Sequence, residues 1–364
     1  MPYSLLYLFS LVLLSFSASA QLTSEDEKQR YLKEQKEERE KFSKEADTNY
    51  ILPYHEQLVL RVYTAKKWNN LSLHNVPGIS ALRYRPNSSY NIGIGGTYKG
   101  LTINLAYGFG FLGFLNPRKE LGVTKYLDLQ SHMYGRKWLI DVFAQFYEGF
   151  YLFPKGTATV DGDSYYVRPD LNTNTFGASV QYVFNNRKFS YRASVLQNEW
   201  QKKSSGTLLL GVEAYYGNMH ADSSIVPKKV DSLTFTQSIY KSEYVKLGPS
   251  VGYAYTLIVK KHFFATGSLS GNVAFGNTAT TSDFNGQENN FSIIPGAFYR
   301  VFAGYNGARW ALSAIYTSNN IAANPGSAIR SVINTANVRF NLVYRFAPNK
   351  KLKKTLDKVR PEKG

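Results

Sequence analysis

From about Gln57 to Phe346 the chain alternates apolar with polar or small residues, in stretches separated by turn residues. Leu101, Ile103, Leu105 and Tyr107 alternate with Thr102, Asn104, Ala106 and Gly108. Phe176, Ala178, Val180, Tyr182 and Phe184 alternate with Thr175, Gly177, Ser179, Gln181 and Val183, and Val338, Phe340, Leu342, Tyr344 and Phe346 with Arg339, Asn341, Val343 and Arg345. A period of two is that of a strand whose faces meet different surroundings, and no helix sustains it. These stretches reach the roughly 9–11 residues a strand needs to cross a bilayer.

Hairpin registers offer an internal check, because a slip of one residue would put every side chain on the wrong face. Asn306-Gly307 reads as a type I′ turn. It pairs Tyr305 with Ala308, Val301 with Leu312 and Gly304 with Arg309. Lys99-Gly100 pairs Ile94 with Leu105 and Gly95 with Asn104; a turn at Asn185–Lys188 pairs Tyr182 with Tyr191 and Gln181 with Arg192. Gly135-Arg136 pairs Met133 with Trp138 and sets Gln130 against Asp141, with His132 diagonal to Asp141. In all four the faces stay pure.

Two closed folds suit such strands. A soluble sandwich would bury a face rich in Val, Ile and Leu. Here 28 Tyr and 23 Phe load the apolar face, while the other carries Ser, Thr, Asn, Gln, Gly and Arg. Aromatic girdles around a polar interior describe a transmembrane antiparallel β-barrel. Turns near 99–100, 135–136, 185–188, 260–262 and 306–307 are short, whereas connections near 109–123, 148–172, 276–290 and 318–331 are long, as in barrels with short periplasmic turns and long outer loops. The ten-residue rule places about 12 strands, or 14 as the alternative. The stretches 57–85 and 218–244 are ambiguous, the latter with room for a strand around Leu233 to Ile239. After residue 20 no apolar run approaches the ~20 residues of a membrane helix. The absence of cysteine excludes a disulfide scaffold, a thiol nucleophile and cysteine metal sites.

The ends differ from this body. Residues 1–20 have the apolar core Leu5 to Phe16 and the small-x-small pattern Ala18-Ser19-Ala20 of a signal peptide, so the mature chain is expected to start at Gln21. Residues 21–52 are mostly Glu, Lys, Arg and Gln, with i,i+4 pairs such as Glu37–Lys41, and suit a solvated helix or a disordered lead-in. The barrel is expected over 53–346 and a basic periplasmic tail over 347–364. The chain carries 43 Lys and Arg against 26 Asp and Glu, a net charge of +17, which favours anionic partners. Export leaves outer-membrane lipid and lipopolysaccharide, rather than nucleic acid, as those partners.

The segments Tyr84-Arg85-Pro86-Asn87, Gly93-Ile94-Gly95, Tyr98-Lys99, Lys125-Tyr126-Leu127-Asp128, His132-Met133-Tyr134 and Phe298-Tyr299-Arg300 resemble an outer-membrane barrel family of Bacteroidota, domain of unknown function 4421. The resemblance covers most of 50–346. It implies a barrel in the Gram-negative outer membrane and carries no activity. Arg339 to Phe346 also resembles the signal read by the barrel-assembly machinery, an implied partner.

Alternation sends Tyr126, Asp128, Gln130, His132, Tyr134, Asp141, Gln145 and Tyr147 into the lumen. His132 with Asp141, and Asp128 nearby, could act as a general base; a polar network that fills the barrel explains the same residues. Ser131 faces the other way and cannot complete a triad. Arg83, Arg85, Arg192, Arg300, Arg309, Arg339 and Arg345 are expected in the lumen, where they could attract anions or pair with Asp128, Asp141 and Glu213. Histidines at 55, 74, 132, 220 and 262 lack metal-ligand spacing, Gly93–Gly96 sits within a strand rather than a nucleotide loop, and no cofactor is expected. Three functions fit: a small channel or structural envelope barrel, a membrane-embedded hydrolase acting on lipid or lipopolysaccharide, and a component of an envelope assembly that binds a protein partner through the N-terminal segment.

Overall fold

The computed structural model describes residues 25–359, apart from 55, 77–78, 100, 109–117, 232–237, 284–285 and 323–328. The expected signal peptide lies outside the described residues, as does most of the ambiguous Leu233–Ile239 stretch. The strands are β1 (Ile51–Pro53), β2 (Leu58–His74), β3 (Ala81–Arg85), β4 (Tyr90–Tyr98), β5 (Leu101–Gly108), β6 (Lys125–Tyr134), β7 (Trp138–Phe153), β8 (Val167–Val183), β9 (Glu199–Gln201), β10 (Ser205–His220), β11 (Ile239–Val259), β12 (Phe263–Ser282), β13 (Gly286–Asn306), β14 (Trp310–Ala322) and β15 (Arg330–Phe346). Ten of them (β2, β3, β7, β8 and β10 to β15) close an antiparallel ring, with β15 paired to β2 from Arg330↔His74 to Phe346↔Leu58.

The expected count of about 12, or 14, is corrected to a ring of ten with β4, β5 and β6 outside it. The cause is a change of partner along one descending segment. β3 bridges the C-terminal ends of β2 and β7, pairing Tyr84 with both Leu71 and Leu152. Pro86 follows, lacks a ladder donor, and interrupts the strand. When pairing resumes, β4 lies on the lower half of β2 and continues into β5, while β6 lies on the lower half of β7. No ladder joins β5 to β6 among the described residues. Side chains cross there instead: Ser89 Oγ and Tyr126 Oη are 2.7 Å apart, and Lys67 Nζ is 3.1 Å from the Asp128 carbonyl.

The residue distribution is inverted relative to a soluble sandwich. Along β12, Phe263, Leu269, Val273 and Phe275 face out, while Thr266, Ser268, Ser270 and Asn272 are buried inside. β11 and β13 repeat the alternation. The close approach of strands is helped where an inward aromatic ring lies over a glycine directly across the ladder. Phe143 covers Gly177 in this way, and a Cβ at position 177 would enter the ring.

Both mouths are filled by the chain. At the end opposite the short turns Ile225, Val226 and Val230, from the connection that includes α3 (Lys228–Asp231), pack onto Leu71, Leu82 and Tyr84, and the Tyr84 hydroxyl donates to the Ile225 carbonyl. At the turn end residues 184–204 fold inward. α2 (Tyr191–Ser194) is capped by the Ser190 hydroxyl and places Tyr191 Oη 2.8 Å from Ser268 Oγ. Arg345 donates to the Gln197 carbonyl at 2.7 Å.

Four expectations about connections change. Lys99-Gly100 keeps its register, Ile94↔Leu105. At Gly135 the turn is centred one residue later, so His132 lies directly across from Asp141 rather than diagonal to it. At Asn306 the pairing is Tyr305↔Leu312 and Gly304↔Ser313, and neither Asn306 nor Gly307 has the positive φ of a type I′ turn. After Asn185–Lys188 the chain enters the plug, and Gln181 pairs with Gly211 instead of Arg192. The expected long loop at 276–290 is largely strand, since β12 runs to Ser282 and β13 starts at Gly286.

The charged N-terminal segment forms α1 (Glu25–Glu45), with Arg30 and Glu34 3.8 Å apart and its end seated by Phe42 and Ala46 against Ile51. The basic tail forms α4 (Lys350–Val359). Lys353 Nζ lies 2.6 Å from Glu34 and 3.2 Å from Glu56, which ties both ends of the chain together. Burial works against the Lys353 charge, but the two carboxylates outweigh it and raise its pKa. That contribution is present below the ordinary lysine value and is lost as pH rises through the raised one.

Leu312 is 53% exposed and Ser313 5%. Spin labels at these two positions in liposome-reconstituted protein should report different surroundings: oxygen quenches the label at 312, whereas the one at 313, enclosed among lumenal side chains, is little accessible to oxygen or to a water-soluble nickel chelate. Leu312→Arg should impair assembly more than Ser313→Arg, because an arginine on the lipid face carries a cost that grows with depth, from about 0–1 kcal/mol near the interface to roughly 2–4 kcal/mol at the midplane. Equal accessibility of both labels would contradict the inside-out wall.

Candidate functional site: the lumenal charge network

The middle of the lumen holds charged and amide side chains delivered by alternation on β6, β7, β8 and β13. His132 Nδ1 and Asp141 Oδ1 are 2.6 Å apart, and Arg300 donates to Asp141 Oδ2, also at 2.6 Å. Arg300 reaches Gln181 Oε1 at 3.2 Å and lies over the Phe298 ring at 3.8 Å. The Arg300 side chain is wholly buried and Asp141 nearly so, whereas His132 is 27% exposed. Beside them Asp128 accepts from Gln145 Nε2 and Tyr147 Oη, each at 2.7 Å, and faces Lys67 at 3.4 Å. Glu213 accepts from Tyr215 Oη at 2.6 Å.

The expected basic set divides. Arg300 is central, and Arg339 is half-buried over the Tyr63 ring at 3.6 Å, donating to Asn341. Arg345 is buried at the turn-end mouth. Arg192 sits in the plug, 3.4 Å from Glu199. Arg83 and Arg309 are exposed, and Arg85 lies over the outward Phe153 ring at 3.7 Å, so these three are not lumenal. In β3 it is Leu82 and Tyr84 that face in. Arg309 belongs to a turn rather than a strand, so alternation does not extend to it.

Arg61 and Arg136 are additions. Arg61 donates to Asn104 at 3.0 Å and to the Leu196 carbonyl at 2.6 Å. Its place between Leu60 and Val62 on β2 is the pattern that could have revealed it. Arg136 pairs with the buried Glu199. Its partner is set by the plug, which no local pattern announces.

Chemically, the His132–Asp141 pair has the geometry of an oriented base. Its carboxylate is shared with Arg300, and among the described residues no hydroxyl is hydrogen-bonded to His132. Ser131 is exposed on the other face. No cluster of three or more metal-ligating side chains occurs among the described residues.

The inside-out wall, the polar lumen and the β15–β2 ladder define a closed antiparallel β-barrel. By sequence the chain belongs to the family described as domain of unknown function (DUF4421), which matches residues 45–346. No curated protein matches it. Among solved structures it is similar to the outer membrane protease OmpT from Escherichia coli (9% identity, TM-score 0.38, covering 80% of this chain and 97% of that one). The translocator domain of the autotransporter NalP from Neisseria meningitidis is also similar (8% identity, TM-score 0.34, covering 88% and 98%). At these values the likenesses carry nothing about activity.

Asp141→Asn strands the Arg300 charge in the lumen and should cost about 3–5 kcal/mol. Urea unfolding of the barrel in vesicles measures this. Asp141→Asn combined with Arg300→Met should recover much of the loss. A single variant as stable as the wild type would show that the pair is not holding the wall.

Proposed function

We propose that this protein is a closed outer-membrane barrel with a structural role in the envelope, and not an open channel. The observation that carries this is the double seal: the outer mouth is filled by Ile225, Val226 and Val230, and the turn-end mouth by the plug around Tyr191 and Gln197. Residues 1–20 act as the export signal, both termini face the periplasm, and the closing run of β15 is read by the barrel-assembly machinery. Outer-membrane lipid and lipopolysaccharide surround the wall. The exposed length of α1, anchored by Phe42 and by the Glu34–Lys353 contact, suits a protein partner in the envelope.

The hydrolase reading keeps one supporting observation, the 2.6 Å contact between His132 and Asp141. With no hydroxyl beside it, His132 would have to activate water directly. The structural reading is favoured because the same aspartate balances a fully buried arginine.

In planar bilayers the wild type should give flat current traces. Conductance steps should need removal of both seals, for example residues 189–198 together with 222–230. Discrete steps from the intact chain would sink the closed-barrel reading. For the alternative, His132→Ala and the wild type should leave identical outer-membrane lipid profiles by mass spectrometry; a lipid that accumulates only in the variant would favour the hydrolase.

A further inference from the structure

The connections at the turn end carry cations throughout. Lys99 joins β4 to β5, Lys137 precedes β7, Arg187 follows β8, Lys260 and Lys261 join β11 to β12, and Arg309 precedes β14. Lys99 is half-buried and the other five are exposed. The hairpin turns at 99–100, 135–137, 260–262 and 307–309 contain no acid. Of the acids outside α1 at this end, Glu56 and Glu199 are buried against Lys353 and Arg136, and Asp47 is half-buried beside the Arg187 backbone. The opposite connections hold both signs, with Glu120, Asp161, Asp163 and Asp222 among them.

Two further observations show that this charge is more than general solubility. Lys99, Lys260 and Lys261 have φ of 44°, 48° and 66°. Glycine or asparagine occupies left-handed backbone at lower cost, so lysine is held there against local preference. Outliers of this kind cluster at functional positions. The cations also adjoin outward aromatics. Lys137 precedes Trp138, Arg309 precedes Trp310, and Lys261 lies two residues before Phe263; all three rings are about half exposed. Aromatic belts sit at headgroup level, which puts the ring of cations among lipid phosphates and not in the open periplasm.

We infer that this ring is a binding surface for anionic phospholipid headgroups, which it gathers around the barrel in the leaflet on the turn side. The inference rests on the membrane-barrel reading. Phosphates are contacted from several turns at once, so selectivity arises from the circumference and not from one pocket.

The test uses the full chain in vesicles containing brominated phosphatidylglycerol or brominated phosphatidylcholine, with tryptophan quenching as the readout. A lysine near an anionic surface changes partition by roughly fivefold. Wild-type protein should therefore prefer phosphatidylglycerol several-fold, and 1 M salt should abolish the preference, since screening then acts within about 3 Å. A variant with Lys99→Gly, Lys260→Asn, Lys261→Gly, Lys137→Gln and Arg309→Gln should quench equally with both lipids. Three of these changes relieve left-handed strain, so folding should survive, and heat-dependent gel mobility checks it. Equal quenching of the wild type by both lipids, or a preference that the substitutions or salt leave intact, overturns the inference. So does wild-type protein that lacks the lipid preference and instead sediments with cell-wall sacculi. Quenching by neither lipid removes the membrane reading itself.

Discussion

A buried guanidinium inside a barrel wall must find its counter-charge on another strand, and Arg300 finds it on Asp141. The two residues are far apart in sequence and sit on strands across the lumen, β13 and β7. Their contact fixes the register of both walls, because a slip of one residue on either strand would send its charge into lipid. Gln181 and His132 add further hydrogen bonds around the pair. The remaining interior, with its serine, threonine and asparagine side chains, is arranged around this fixed point.

The interior is layered along the barrel axis. Apolar residues gather at the end opposite the short turns, the Arg300–Asp141 network occupies the middle, and aromatic rings, amides and further ion pairs such as Arg136–Glu199 fill the turn end. The plug contributes backbone carbonyls as well as side chains: Leu196 accepts from Arg61 and Gln197 from Arg345. Two arginines that would otherwise be orphaned near the mouth are held by main-chain oxygens instead of acids. These carbonyls give lumenal bases partners beyond the few acids.

Much of the wall was legible because lipid and lumen impose period two. Leu312 and Ser313, Phe340 and Asn341, and His132 and Met133 all point as alternation requires. Register was less legible. The faces survived at Asn306 and Gly135 because the true pairing differs by an even number of residues, which parity alone cannot detect. The plug was invisible for a related reason: Tyr191 and Arg192 continue the alternation of a strand, yet their partners lie on β12 and in the plug itself. The strand count failed at Pro86, where one segment serves two ladders. At the lumenal site the His132–Asp141 neighbourhood was legible from one hairpin, whereas the Arg300 partnership spans the barrel and leaves no local trace.

The pairing of β15 with β2 has a consequence for biogenesis. Loop closure over nearly the whole barrel sequence is required before that ladder can form, and such non-local pairing is slow. Until Phe346 is available the sheet keeps two long open edges, each a template for pairing with another chain. A chain stopped before β15 is therefore an adhesive ribbon and not a smaller barrel. The last strand decides between a sealed wall and an aggregate, which makes complete synthesis the condition for a harmless product.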